Sequence, residues 1–217
     1  RTMLDSDKKF RNIYYLTPRS TPPVMDGSRA PFTCVRTTDF SADDNAALYD
    51  KIALTPLENH LIEALHVIDN RITGINFLKD QYVSDDKRVP FVVLDGKSEK
   101  YRLSTMGDGV NRILTIILAM LNSRGGILLI DEFENGLHYS VQQSLWGLIE
   151  RLARELDIQV FATTHSDDCI KAFLSATIQS GDSRVIRLEN RKAGEIAVVY
   201  ADADELGFIK DNGIEVR

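Results

Sequence analysis

Two adjacent carboxylates, Asp131 and Glu132, end the apolar run Ile127-Leu128-Leu129-Ile130, which Gly125 and Gly126 precede. An unbroken apolar run bounded by glycines predicts a strand buried on both faces, as in a parallel sheet. Acids just past such a strand lie at its carboxyl end, where open α/β sheets place their ligands. Neighbouring side chains there point different ways, so the two acids can do different jobs. In nucleotide hydrolysis one acid helps to hold Mg²⁺ and the next polarises the attacking water. Taken alone, the pair is equally well a strand end with two solvated acids; the flanking sequence decides.

Downstream, Ile158-Gln159-Val160-Phe161-Ala162-Thr163-Thr164-His165-Ser166 is a second buried-strand pattern that ends in a polar cluster with one histidine. Upstream, Leu103-Ser104-Thr105-Met106-Gly107-Asp108-Gly109-Val110-Asn111-Arg112 opens an apolar helical run. Immediately after the acids comes Phe133-Glu134-Asn135-Gly136-Leu137-His138. In this order the segments resemble the signature, Walker B, D-loop and switch-histidine motifs of ABC-type P-loop ATPases. The resemblance is strongest to the stand-alone bacterial ATPases of the OLD/RecF/SMC-like group, over about Leu103 to Phe173.

The resemblance implies a role for each position. Asp131 would contact Mg²⁺ through water, and Glu132 would be the general base. His165 would bond the γ-phosphate of ATP. Asn135 to His138 would cross a dimer interface. Ser104, Gly107 and Gly109 would cap the γ-phosphate bound by the other protomer. The usual LSGG spacing is stretched here to Leu-Ser-Thr-Met-Gly-Asp-Gly, so either glycine can face the phosphate. Both choices use glycine amides at a helix N-terminus to hold an anion.

No Gly-x-x-x-x-Gly-Lys-Ser/Thr occurs in the sequence. Gly96-Lys97-Ser98 mimics its end, but the position that needs the first glycine is Phe91. In the resembled family that loop and its strand come early and cradle the phosphates. The expectation is therefore a C-terminal part of an ATPase, inactive without its P-loop segment. Residues 1–103 would supply a middle segment of helices and antiparallel strands, and residues 104–217 the half with the motifs. The implied function is an ATP-driven homodimer switch, set by the resemblance in DNA repair or antiphage defence, with DNA or a separate effector protein as further partner. The alternative is a catalytically silent scaffold with the same fold. A metal-dependent nuclease built on Asp131, Glu132 and Glu134 is disfavoured, since three acids on one short segment do not surround a metal.

Composition is that of a soluble globular chain. With 217 residues it is long enough for one large domain, and its net charge of −6 argues against a generally basic nucleic-acid binder. Cys34 and Cys169, far apart, make no disulfide framework and suit a reducing cytoplasm. No apolar run approaches the ~20 residues of a membrane span.

The predicted fold is a mostly parallel α/β sheet flanked by helices, lacking the P-loop strand, with an antiparallel portion. Strands are expected at Asn12–Leu16, Phe32–Arg36, Arg71–Leu78, Arg88–Leu94 and Lys97–Leu103, the last two joined by the Asp95-Gly96 turn. Helices are expected at Ser41–Leu54, from Thr55-Pro56 to Ile68, Gly109–Asn122, Ser140–Leu156 and Ser166–Ile178. Val185–Leu188 and Ile196–Tyr200 should form a hairpin, and Asp202–Lys210 a last helix. Cys169 reads as core and Trp146 as half-buried. The strands Ile127–Asp131 and Ile158–Thr163 should pair in parallel through the crossover helix. The far edge of the second should lack its usual partner, with Val185–Leu188 the nearest local substitute.

Overall fold

The computed structural model describes residues 31–37, 41–80, 87–107, 109–177, 182–190 and 196–201. The strand expected at Asn12–Leu16 and the helix expected at Asp202–Lys210 lie outside them. The elements in chain order are β1 (Phe32–Val35), α1 (Ala42–Asp50), α2 (Pro56–Leu65), β2 (Ile72–Lys79), β3 (Arg88–Leu94), β4 (Lys100–Arg102), a 3-10 turn (Leu103–Met106), α3 (Val110–Leu121), β5 (Ile127–Ile130), α4 (Tyr139–Glu155), β6 (Gln159–Ala162), α5 (Asp167–Thr177), β7 (Val185–Asn190) and β8 (Ile196–Ala201). The fold is mixed α/β, with one parallel and one antiparallel sheet and a separate hairpin. Among the described residues no helix is long and apolar enough to cross a membrane.

Local chemistry sets the helix starts. Ser41 and Asp44 cap α1 reciprocally: the Ser41 hydroxyl accepts the Asp44 amide at 3.2 Å and the Asp44 carboxylate accepts the Ser41 amide at 3.0 Å. Thr55 caps α2 and Pro56 takes its first position, where a missing amide costs nothing. α1 stops at Asp50 rather than Leu54, because Leu54 takes a left-handed φ of 60°. α3 is buried at every position but Asn111, so it is the central helix of the core. The buried Asn45–Thr115 pair, 2.9 Å apart, ties α1 to it.

The parallel sheet has the order β1-β5-β6. β5 and β6 pair in parallel from Ile127↔Gln159 to Ile130↔Ala162, with α4 as the crossover expected from the sequence. β1 pairs in parallel along the other edge of β5, from Phe32↔Ile127 to Val35↔Ile130. Leu128 and Ile130 are fully buried, whereas Ile127 and Leu129 are half-buried. The two-sided burial expected for this strand is thus complete on one face only, since an apolar run does not report how fully each face is covered.

β6 departs further from its buried-strand expectation: Gln159, Phe161 and Ala162 are exposed. Among the described residues no strand lies on its far side. The substitution expected from Val185–Leu188 does not occur. β7 pairs antiparallel with β8 from Val185↔Ala201 to Asn190↔Ile196, because the short connection closes a hairpin more readily than a distant parallel edge can be reached.

β2, β3 and β4 form an antiparallel sheet, with Gly96 at φ 69° in the turn between β3 and β4. β4 is shorter than the strand expected over Lys97–Leu103, and Leu103 turns instead into the 3-10 segment with its side chain buried. Trp146 is buried rather than half-buried, because its ring stacks on Phe133 at 3.8 Å. Cys169 is core, as expected.

Candidate functional site

Parallel strands end together, so β1, β5 and β6 deliver Thr37, Asp131 and Thr163 to one end of the sheet. The ladder continues past β5: the Asp131 amide donates to the Val35 carbonyl at 2.8 Å and the Thr163 amide to the Ile130 carbonyl at 2.9 Å. Asp131 sits between two hydroxyl donors. Thr163 Oγ1 donates to Oδ1 and Thr37 Oγ1 to Oδ2, each at 2.8 Å. These two hydrogen bonds, with the Arg112 charge behind them, hold the Asp131 carboxyl below the usual carboxylate range. The group is thereby kept ionised, with lone pairs left for water or a hard cation.

Glu132 has a left-handed φ of 46°, unfavourable for a residue with a side chain by about 1–2 kcal/mol. Three contacts hold it. Its amide donates to Thr163 Oγ1 at 2.9 Å, and its carbonyl accepts from Arg112 Nη2 at 3.1 Å and from the Asn135 amide at 3.0 Å. Its carboxylate accepts no hydrogen bond from a described residue and stands half-exposed at the strand end. Backbone strain stored at such a position fits a functional constraint.

Arg112, buried on α3, binds three carbonyls: Arg36 at 2.6 Å, Asp131 at 2.7 Å and Glu132 at 3.1 Å. It joins the ends of β1 and β5 to the central helix. His165, in the loop after β6, is exposed, and its backbone amide donates to Glu134 Oε1 at 2.9 Å. Asp131, Glu132 and His165 are thus brought to neighbouring strand ends.

The remaining sequence-predicted residues form a second group. Asn135 donates from Nδ2 to the Thr37 carbonyl at 2.9 Å, and His138 Nδ1 accepts the Ser140 amide at 3.4 Å as the cap of α4. Both spend a polar atom inside the chain. Gly109 abuts their loop: a Cβ on it would lie 2.6 Å from the Gly136 carbonyl oxygen, closer than any side chain tolerates. Gly107 has φ 130°, a conformation open in practice only to glycine. The two glycines therefore answer different backbone needs. Ser104 is exposed in the 3-10 turn and lines a cleft of about 260 Å³ with Arg102 and Asn111.

A family model described as "AAA domain, putative AbiEii toxin, Type IV TA system" matches residues 7–168. The chain belongs to this AAA-domain family. A protein of Helicobacter pylori (strain ATCC 700392 / 26695) named ATP/GTP phosphatase is 36% identical over 118 residues, covering 53% of this chain and 30% of that protein. The chain thus spans about 30% of the length of this curated relative. A solved structure described as the SmcHead bound to the C-winged helix domain of ScpA superposes with a TM-score of 0.53 at 13% identity, over 79% of this chain and 56% of that one. Another, from work on ATP-driven dimerization and DNA stimulated activation of SMC ATPases, gives 0.50 at 12% identity, over 80% and 99%. At 12% and 13% identity these two structures share with the chain a fold, the mixed α/β arrangement with a parallel and an antiparallel sheet.

Four residues of the site escaped the sequence reading. Thr163 stood in the quoted Thr-Thr-His-Ser run and Arg112 closed the quoted signature stretch, so both were visible but without a role. Glu134 was weighed only as a metal ligand. Thr37 carried no signal at all, because its link to Asp131 spans 94 residues.

Proposed function

We propose that this chain carries the hydrolytic half of a nucleoside-triphosphatase that acts on ATP. What supports this reading is one arrangement: an ionised Asp131, a Glu132 held in a strained backbone with its carboxylate unencumbered, and an exposed His165, on neighbouring parallel strand ends. Mg²⁺ bound with ATP would supply charge neutralisation at the phosphates. Asp131 would orient that ion through water, and its two hydroxyl partners fix the carboxylate for the task. Glu132 would take the proton of the attacking water. His165 would hydrogen-bond the terminal phosphate, and the loop Asn135–His138 with Gly109 would face a second copy across a composite site. Ser104 and Gly107 would complete the anion-binding end of that site. The name of the Helicobacter pylori relative supports a triphosphatase, and the family description fits a setting in defence as readily as in DNA repair.

The test is turnover in the full-length protein. Glu132→Gln should bind ATP, hydrolyse it very slowly and accumulate as an ATP-bound dimer on gel filtration. Turnover close to wild type would remove Glu132 as the base.

A further inference from the structure

The loop that carries His165 is anchored at both ends, and the His165 amide in its middle is held by the side chain of Glu134. At its start, Thr163 is fixed by the Ile130 carbonyl, the Asp131 carboxylate and the amides of Glu132 and Phe133. At its end, Ser166 accepts the Cys169 amide on its hydroxyl at 3.2 Å and the Ile170 amide on its carbonyl at 3.1 Å, which ties it to α5. Between them the His165 amide donates to Glu134 Oε1 at 2.9 Å. Glu134 comes from the loop after the neighbouring strand and is itself well anchored. It follows Phe133, fully buried against Trp146, and its carbonyl accepts the Leu137 amide at 2.9 Å.

The second oxygen, Oε2, is buried and has no hydrogen-bond partner among the described residues. Burial pushes the Cys169 thiol up, and the Glu134 charge adds to that push. A desolvated carboxylate oxygen with nothing to bind is costly and rare in folded proteins. Packing alone would be better served there by an apolar residue. The charged oxygen that does bind makes a stronger hydrogen bond to a backbone N–H than a neutral acceptor would.

We infer that Glu134 is a positioning residue for His165: its carboxylate grips the histidine's own amide and sets where the imidazole stands relative to Asp131 and Glu132. The kinetic part of this inference rests on the hydrolase reading above; the structural part does not. It also assigns the third acid of the Asp-Glu-Phe-Glu run a task distinct from the metal and proton chemistry of the first two.

In the full-length protein, Glu134→Ala should lower kcat for ATP by about 10²-fold, the scale of a misplaced catalytic group, with KM little changed. Glu134→Gln keeps the acceptor oxygen and should restore most of the turnover. Because the effect runs through one imidazole, Glu134→Ala combined with His165→Ala should be no slower than His165→Ala alone. Wild-type turnover in Glu134→Ala, or a double variant slowed by the product of the two single effects, overturns the inference. Amide hydrogen exchange gives a readout that needs no turnover. Glu134→Ala should speed exchange at residues 163–166 and leave α3 unchanged, and Glu134→Gln should reverse it. Unchanged exchange in that loop overturns the positioning role. A wild-type protein that hydrolyses no nucleotide overturns the hydrolase reading, while the exchange data still decide Glu134.

Discussion

The two sheets of this chain use polar side chains in opposite ways. In the antiparallel sheet, the charged residues form ion pairs at the rim: Arg88 with Asp50 at 2.6 Å, and Arg71 with Asp69 at 2.7 Å beside β2. Backbone register and an apolar face hold that sheet; these two pairs stand in solvent, and a third, Arg102 of β4 with the buried Asp80, clips the end of β2 to β4. At the carboxyl end of the parallel sheet, the polar groups instead bond one another across sequence distances of 19 to 98 residues. There a buried guanidinium holds carbonyls, two threonines grip one aspartate, and Glu132 is kept in a conformation it would not choose. Antiparallel strands run their ends to opposite edges, whereas parallel strands bring three chain ends to one edge. Only the second geometry concentrates loops enough to build a preorganised site.

The largest expected effect separates chemistry from scaffold. Glu132→Gln should cut turnover by about 10³-fold, in the range of a lost general base, while leaving unfolding by denaturant unchanged. A matching loss of stability would mean that Glu132 serves the fold rather than the reaction.

Arg112→Met should damage both. It strips three carbonyls of a buried donor and frees the strained Glu132 backbone, at a cost of about 3 kcal/mol in stability by urea titration. If stability held and only turnover fell, the guanidinium would act at the site and not as a strut between α3 and the strand ends.

Gly109→Ala should cost about 2 kcal/mol, since its methyl must displace the Gly136 carbonyl and with it the Asn135–His138 loop. A neutral result would show that this contact yields easily and that α3 is not seated rigidly on the loop.

The smallest effect should come from the antiparallel sheet. The hydrogen bond from Arg88 holds Asp50 below the usual carboxylate range. A depressed folded-state pKa contributes stability above the unfolded value, about 3.9, and that contribution is lost as pH falls through the folded value. Asp50→Asn should therefore be slightly less stable than wild type at neutral pH and equal to it in strong acid, with turnover untouched. Because the pair is exposed and screened, the difference should be smaller than any above. A large loss of turnover would erase the contrast between the two sheets.

Much of this was legible in the order of residues. The run Ile127 to Glu132, the hairpin turn at Asp95-Gly96, the caps at Ser41 and Thr55 and the crossover between β5 and β6 all follow from local pattern and chain-connection rules. Apolar periodicity named Leu145, Leu148, Ile149, Leu152 and Leu156 as the inward face of α4 and its end, and all five are buried. These features depend on neighbours in sequence, which any reader of the sequence can see.

What only the tertiary structure decided has a common cause: it depends on which strand ends meet. β1 could be read as a strand, but not as the neighbour of β5, and so Thr37 could not be placed on Asp131. The left-handed Glu132 is imposed by Thr163 and Arg112 from other elements and is not a preference of the glutamate. β6 reads as buried because hydrophobicity is local, yet Gln159, Phe161 and Ala162 are exposed, which depends on what packs around the strand and not on its own residues. Sequence fixes the side chains a site can draw on, while the distances that turn them into a site arise from packing between segments the sequence leaves far apart.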